Sequence, residues 1–314
     1  MTLEQLRIFI AVAEREHMTR AAQALNLTQA AVSASIAALE SQSGTVLFDR
    51  VGRNIALTPA GRLFLPEARE VLARAQAAQA VLDDISGLQR GQLRLHASQT
   101  IASYFLPAFI AVFHARHPGV ALDLAIGNTA QAEQAVRAGT ADLGFVEGPL
   151  ETADLTVLPI ATEEMGIYVP ASHPWANGQP LTLPALTRAP WIFREPGSGT
   201  REAFLAALTA QGVSQAGLTI ALTLPSNEAV REAVIAGAGV ACLSPLVCIR
   251  AVQAGALARA NFALPARHFH AVRHPRRYFT QAARAFLTVV HASGAFPVSA
   301  GSGAPPAMSA PSSA

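Results

Sequence analysis

Apolar residues recur at helical spacing from the start of the chain. Leu6, Phe9, Ile10 and Ala13 predict an amphipathic helix from Leu3 to Arg15. Thr19 is placed to cap a second helix, Arg20 to Leu25, which Asn26 breaks. Leu27 anchors the turn. Thr28 then caps a third helix running to about Ser43, with Val32, Ile36 and Leu39 at i, i+4 and i+7 as its buried stripe. Gly44 stops that helix, Leu47 and Phe48 pack back, and Asp49 to Ala56 predicts a hairpin with Gly52-Arg53-Asn54 at its tip. Three short helices, the last two close together, followed by a hairpin predict a winged helix-turn-helix over residues 1–58.

A longer helix follows, from Thr58-Pro59 (cap and first-turn proline) to about Leu88. Leu65, Ala68, Leu72, Ala75, Gln79 and Leu82 alternate at three- and four-residue spacing. Two readings are open for this stretch, residues 59–90. The stripe is a dimer seam, the favoured reading because no other domain lies within residues 1–90, or it lies on its own domain.

From Gly91 the texture changes. Strands at Gln92–Ala97, Val120–Ile126 and Asp142–Val146 alternate with helices at Tyr104–His117 and Ala130–Ala138. The pattern resumes with Met165–Val169, Trp191–Phe193, Arg201–Gln211, Thr219–Leu224, Glu228–Ala236, Val240–Leu243, His268–Arg273 and Thr280–Val290. Such alternation predicts two α/β lobes, lobe I from residues 91–161 and 267–292 and lobe II from 162–266. The stretch 293–314, rich in Ala, Ser, Gly and Pro, reads as a disordered tail.

Composition narrows the class. The 314 residues suit two or three domains. Two cysteines, Cys242 and Cys248, suit a reducing compartment rather than a disulfide scaffold, and inert core thiols are their default reading. Glu4 and Arg7 interrupt any N-terminal apolar run, so the expected location is cytoplasmic, beside the nucleoid. The longest uncharged stretch, Ala233 to Ile249, holds Gly237, Gly239 and Pro245 and reads as helix, turn and strand rather than a membrane span. All 23 basic residues are arginine, yet residues 1–90 hold nine Arg against nine Asp or Glu. Any phosphate attraction there must come from local placement of charge.

The run from Leu3 to Phe64, with TQAAVSASIAALE, LFDR and LTPAG, resembles the LysR-type transcriptional regulators. The resemblance spans essentially the whole chain except the tail. In the second half, ASQTIASYFLPAFIAVFHARHPGV, DLGFVEGP, FREPGSGTREAF and SNEAVREAVIAGAGVACLSP look like the branch that regulates CO2 fixation and sulfur assimilation. One departure is Ala30, where the family usually carries proline; alanine fits a helix, so the fold stands. The resemblance implies an α plus α/β protein: a winged helix-turn-helix, a linker helix and a two-lobed effector domain of the periplasmic-binding-protein type. It implies an effector-responsive activator or repressor, assembling from homodimer to homotetramer, and meeting RNA polymerase if it activates.

For DNA, the third helix is expected to enter the major groove by its N-terminal part. Gln29 can pair with adenine and Ala30 can touch a thymine methyl. Thr28 and Ser33 suit phosphates, although Thr28 can serve as a cap alone. Arg50 and Arg53 supply charge at the wing, Arg53 toward the minor groove and Arg50 either toward DNA or in a structural ion pair.

For the effector, a two-lobed α/β sensor binds between lobes, at strand C-termini and helix N-termini. Ser98-Gln99-Thr100, Asn128-Thr129, Gly197-Ser198-Gly199-Thr200-Arg201 and Ser226-Asn227 all hold that position. Hydroxyls, free backbone N–H groups and a helix dipole make an anion site, with Arg201 adding a formal charge. The expected effector is a small anion, a phosphorylated metabolite or a sulfur oxyanion, with no other cofactor. The family resemblance supports Ser98, Thr100, Ser198 and Thr200 as its contacts. Each also reads as a plain cap or turn. Glu147 faces the cleft, where it opposes an anion unless protonated or paired with Arg201. Arg267, Arg273, Arg276 and Arg277 with His268, His270 and His274 read as a solvated face or subunit contact rather than a metal site. No catalytic nucleophile–base pair stands out. A solute-binding protein without a DNA role is the alternative that the second half alone permits.

Overall fold

Thr2 opens α1 (Leu3–Arg15) with a reciprocal box. Its hydroxyl accepts from the Gln5 amide at 3.1 Å, and the Gln5 side chain accepts from the Thr2 amide at 2.8 Å. The computed structural model describes residues 1–51, 54–85, 91–150, 153–292 and 297–298. These divide into two units, one reaching from Met1 to Ile85.

In α2 (Met18–Leu25) the cap is His17 rather than Thr19. The His17 imidazole accepts from the Arg20 amide at 3.4 Å, so the helix starts earlier and Thr19 lies inside it. Asn26 turns the chain at φ +54°, in the left-handed region that asparagine tolerates. Thr28 then caps α3 (Gln29–Ser43), accepting from the Ala31 amide at 3.2 Å, and Gly44 ends it at φ +61°. The hairpin is β1 (Phe48–Val51) against β2 (Asn54–Leu57), antiparallel. Glu40 ties it to α3 by accepting from the Leu47 and Phe48 amides at 2.7 and 3.1 Å. Leu6, Phe9, Val12, Val32, Ile36, Leu39 and Leu47 fill the centre. Phe9 lies 5.4 and 5.0 Å from the Phe48 and Phe64 rings.

Thr58 starts α4 (Pro59–Ile85), its hydroxyl accepting from the Gly61 amide at 3.0 Å. Gly61 carries no side chain for a reason visible here: an added Cβ would lie 2.8 Å from the Leu57 side chain and closer still to the Leu47 carbonyl. Gly61→Ala is therefore expected to destabilise this unit by about 1–3 kcal/mol through overpacking against backbone. A thermal melt of the variant unchanged from the parent contradicts this.

The α4 stripe corrects the sequence reading. Ala68 is fully buried, and Phe64, Leu65 and Leu72 pack against the core built on α1. Arg69 adds an ion pair to Glu14 at 2.9 Å. The first half of the expected dimer seam thus serves its own domain, because α1 offers the apolar surface that the sequence reading did not supply. Leu63, Val71, Val81 and Leu82 lie on the exposed remainder of the helix.

In the second unit the order β3 (Gly91–Ser98), α5 (Leu106–Arg116), β4 (Val120–Gly127), α6 (Thr129–Ala138), β5 (Leu143–Glu147), β6 (Thr156–Glu163) builds most of one sheet. The chain then crosses into β7 (Gly166–Pro170), α7 (Leu183–Arg188), β8 (Pro190–Arg194), α8 (Gly199–Thr209), β9 (Thr219–Leu224), α9 (Asn227–Ile235), β10 (Ala241–Leu243), α10 (Pro245–Gln253) and β11 (Leu257–Arg259). It returns through β12 (Arg267–Arg273) and α11 (Gln281–Ala292) to β13 (Pro297–Val298). The first sheet has the order β13-β6-β12-β5-β3-β4, with β3 parallel to both β4 and β5 and β12 antiparallel to β5 and β6. In the second, β10-β7-β11 is joined to the parallel pair β8-β9 by a bridge from Trp191 to Val240. Each lobe has its own core, around Phe113, Phe145, Phe269 and Phe286 in one and Trp191 and Phe204 in the other.

The helix expected from Tyr104 starts earlier. Gln99 and Thr100 are already helical, and Ile101–Phe105 forms a π turn in which Leu106 N–H bonds the Ile101 carbonyl. Pro107 has no N–H to continue the regular ladder, and the wider turn absorbs the loss. β6, β11, α7 and α10 had no counterpart in the sequence reading. The expected tail, apart from residues 297–298, lies outside the described residues.

Candidate effector cleft and nucleic-acid interface

On α3, Thr28, Gln29, Ala30 and Ala34 are exposed and Ser33 is half-buried, opposite the buried Val32, Ile36 and Leu39. The cap bond to Thr28 occupies a lone pair, leaving its O–H proton free for a phosphate. Arg50 stands on β1, and its side chain, like Arg53 altogether, lies outside the described residues.

In the second unit the C-terminal ends of β3, β5 and β8 meet the N-termini of α6, α8 and α9. This happens because parallel strands that lead into helices put all such ends at one edge. Twelve of the fifteen buried polar or charged side chains among the described residues lie in or beside this junction. Buried polar groups cost stability unless bonded, so their concentration makes this junction the candidate site.

Some of the bonds brace one lobe and others join the two. Ser98 Oγ donates to Glu147 Oε2 in a short contact. Gln99 Nε2 donates to Glu228 at 2.6 Å, and its oxygen accepts from the Asn227 amide at 2.7 Å. Tyr104, carried on the π turn, donates to the same Glu228 at 2.8 Å. Asn227 Nδ2 donates to Thr100 Oγ1 at 3.0 Å, while its oxygen accepts from Arg194 at 2.6 Å. On the other side of the cleft Asn128 Nδ2 reaches Glu195 at 3.2 Å, and Thr129 Oγ1 donates to the Glu147 carbonyl at 2.9 Å. Gly199 sits where an added Cβ would come within 2.5 Å of Thr129 Oγ1 and closer to the Glu147 carbonyl. Within the second lobe, beside Thr200, Arg201, Phe204 and Cys242, lies a cavity of about 10 Å³, roughly one water.

The central charge is not the one expected. Arg201 Nη1 donates to the Arg194 carbonyl at 3.0 Å and its guanidinium lies 5.4 Å from the Phe193 ring centroid, so its charge is spent on the neighbouring strand β8 of its own lobe. Arg267, expected on a solvated face, is 5% exposed. Its Nη1 donates to Thr200 Oγ1 at 3.1 Å, its Nε donates to Glu163 at 2.6 Å, and Nη1 lies 3.8 Å from Glu147. Ser244, the cap of α10, donates to Glu163 at 2.6 Å. The reason for the correction is the return of the chain: β12 runs between β5 and β6 and brings Arg267 to the junction.

Burial holds the Glu147 carboxyl above the usual carboxylate range. Arg267 and the Ser98 bond pull the other way, and Glu163 reinforces the rise. Burial opposes the Arg267 charge, but Glu163 and Glu147 outweigh it and keep the guanidinium protonated. Burial likewise pushes the Cys242 thiol up to about 12 and raises Cys248, so neither is a reactive thiolate.

At α8 the cap Ser198 is buried, and its hydroxyl has no hydrogen bond among the described residues. The first turn of α8 therefore keeps free donors beside the Arg267–Thr200 pair. Ser98, Gln99, Thr100, Thr129, Glu147, Ser198, Gly199, Thr200 and Asn227 all converge here, with Arg201 at the cavity wall. Sequence reasoning missed Arg267, Arg194, Glu163 and Glu195. Arg194 carried a local signal, a charged residue ending a buried strand just before GSGT; Arg267 carried none. His268 and His270, ring centroids 5.9 Å apart, lie elsewhere on β12. Among the described residues no three His, Cys, Asp or Glu side chains gather as a metal site. No helix among them is long and apolar enough to cross a membrane.

Residues 3–62 match the family described as bacterial regulatory helix-turn-helix protein, lysR family, and residues 86–295 match the LysR substrate binding domain. The chain is 36% identical to the uncharacterized HTH-type transcriptional regulator YeiE of Escherichia coli K12, over 91% of this chain and 96% of that protein. It is 33% identical to the RuBisCO operon transcriptional regulator of Allochromatium vinosum, over 78% and 80%. Among solved structures it is similar to the Synechocystis CcmR regulatory domain in complex with 2-phosphoglycolate, with TM-score 0.59 and 26% identity, covering 65% of this chain and 97% of that one. The matched families are those of regulators, not enzymes, and a solute-binding protein without a DNA role gains no support from them.

Proposed function

The chain belongs to the LysR family of DNA-binding transcriptional regulators, and on that premise we propose that its effector is a small anion held at the N-terminus of α8. The observation that carries this is Arg267: a buried guanidinium bonded to Thr200, beside the unbonded hydroxyl of Ser198. Backbone N–H groups and the helix dipole add to it. The anion competes with Glu147 for Arg267 and for the Ser98 proton. Its chemistry is that of a phosphorylated metabolite or a sulfur oxyanion, and a relative that binds 2-phosphoglycolate supports the first of these. Thermal-shift and calorimetric screening of the full chain against sulfite, sulfate, 2-phosphoglycolate and sugar phosphates tests it. Binding of cationic ligands with no anion response overturns it.

For DNA, Gln29 and Ala30 read base edges, Thr28 and Ser33 hold phosphates, and Arg50 and Arg53 add charge at the wing. Gln29→Ala is expected to cost about 1–3 kcal/mol at one or two base positions. Gel shifts on single-base variants of the promoter beside its own gene measure it, and a uniform loss across all sequences contradicts base reading. The exposed Leu63, Val71 and Leu82 of α4 supply the dimer contact, and dimers pair to tetramers on two half-sites. Effector binding biases the closed lobes, and so the DNA geometry, only as far as it prefers one state. An activating form meets RNA polymerase.

A further inference from the structure

We propose that Glu147 sets which oxyanions the cleft accepts: it admits anions that bring a proton, and it admits acceptor-only anions just when a proton enters with them. This rests on reading the cleft as an anion site. The side-chain donors that face Glu147 are already committed. The Ser98 proton goes to Glu147, the Thr129 proton to the Glu147 carbonyl, and Arg267 Nε to Glu163. Arg194 is held by Glu195 at 2.8 Å and by Asn227. The groups facing Glu147 are thus Ser98 on β3, Arg267 on β12, Glu163 on β6, Arg194 on β8 and Thr129 on α6. One guanidinium, Arg267, serves two carboxylates before any ligand arrives.

An ionised carboxylate only accepts hydrogen bonds, and so does sulfate. Set together in a buried site they meet lone pair to lone pair with like charge, and nothing between them donates. Hydrogen phosphate carries its own O–H and can donate to Glu147. Sulfate cannot, so a solvent proton must add to Glu147, which then donates as a carboxylic acid. Either route adds one proton per anion. Burial already raises the Glu147 carboxyl, which makes that protonation less costly. Arg267 and Ser98, which favour the ionised form, are the groups the anion competes for, so its arrival removes what keeps Glu147 charged.

The test is calorimetry of the full chain with sulfate and with inorganic phosphate between pH 6 and 8. Sulfate affinity is expected to fall about tenfold per unit rise in pH, the slope of one linked proton. Two buffers of different ionisation enthalpy are expected to show one proton taken up per sulfate; this needs no variant. Phosphate is expected to bind at least about tenfold more tightly than sulfate at pH 7.5. In Glu147→Gln the amide donates without a proton, so sulfate binding becomes independent of pH and matches phosphate within about threefold. Sulfate binding to the parent chain that is the same at pH 6 and pH 8 without proton uptake overturns the proposal while leaving the anion site standing. So does a Glu147→Gln chain that keeps the parent preference. Failure of both anions to bind either chain overturns the anion site itself.

Discussion

Arg267→Ala is expected to destabilise the effector-binding unit by about 3–5 kcal/mol, the cost of leaving buried charge without a partner. Glu147 and Glu163, each 2% exposed, both lean on this one guanidinium, and Thr200 loses its donor as well. The pair of carboxylates is the reason the loss lies at the large end of single substitutions. Chemical denaturation followed by the fluorescence of fully buried Trp191 measures it. Adding Glu163→Gln to the same chain is expected to recover a substantial part, because it removes one of the stranded charges and keeps a donor and an acceptor for Ser244. A loss under about 1 kcal/mol means that the network is open to water and that Arg267 is not its anchor.

Gly199→Ala acts on a different property. The helix gains a better former, so lobe II itself is not harmed. The new Cβ meets the Glu147 carbonyl and Thr129 Oγ1, both on the other lobe, and the lobes cannot close as they do here. Gly148, at φ +89°, faces the Gly199 carbonyl from that side, so it leaves no slack. With an overpacking cost of about 1–3 kcal/mol against the closed state alone, anion affinity is expected to drop by roughly 5- to 150-fold. Unfolding of the effector-binding unit changes little, because the open form escapes the clash. Calorimetry with phosphate and a denaturation curve on the same sample separate the two. Unaltered affinity shows that the anion does not need this closure.

These predictions rest on features of unequal visibility. Thr28, Asn26 and Gly44 announced the ends of the helices because capping is decided within one turn. Val32, Ile36 and Leu39 announced the buried face of α3 for the same reason, a fixed angular step per residue. Ser198 and Thr200 were legible as residues between a strand and a helix. His17 was not, since an imidazole is an uncommon cap and the hydroxyl of Thr19 competes for that role on paper. The stripe on α4 was visible but its partner was not: Leu65, Ala68 and Leu72 state that something apolar covers them, not which surface does.

The sequence by itself determined the two kinds of unit, the winged helix-turn-helix, and the hydroxyls and helix starts that gather at the cleft. All of these follow from contacts between residues a few positions apart. Only the tertiary structure decided the charge of that cleft and the face of α4 that remains exposed. Arg267 and Glu147 are far apart in the chain and meet because β12 returns beside β5. An ion pair depends on distance through space and on exclusion of water, and neither is set by the local order of residues.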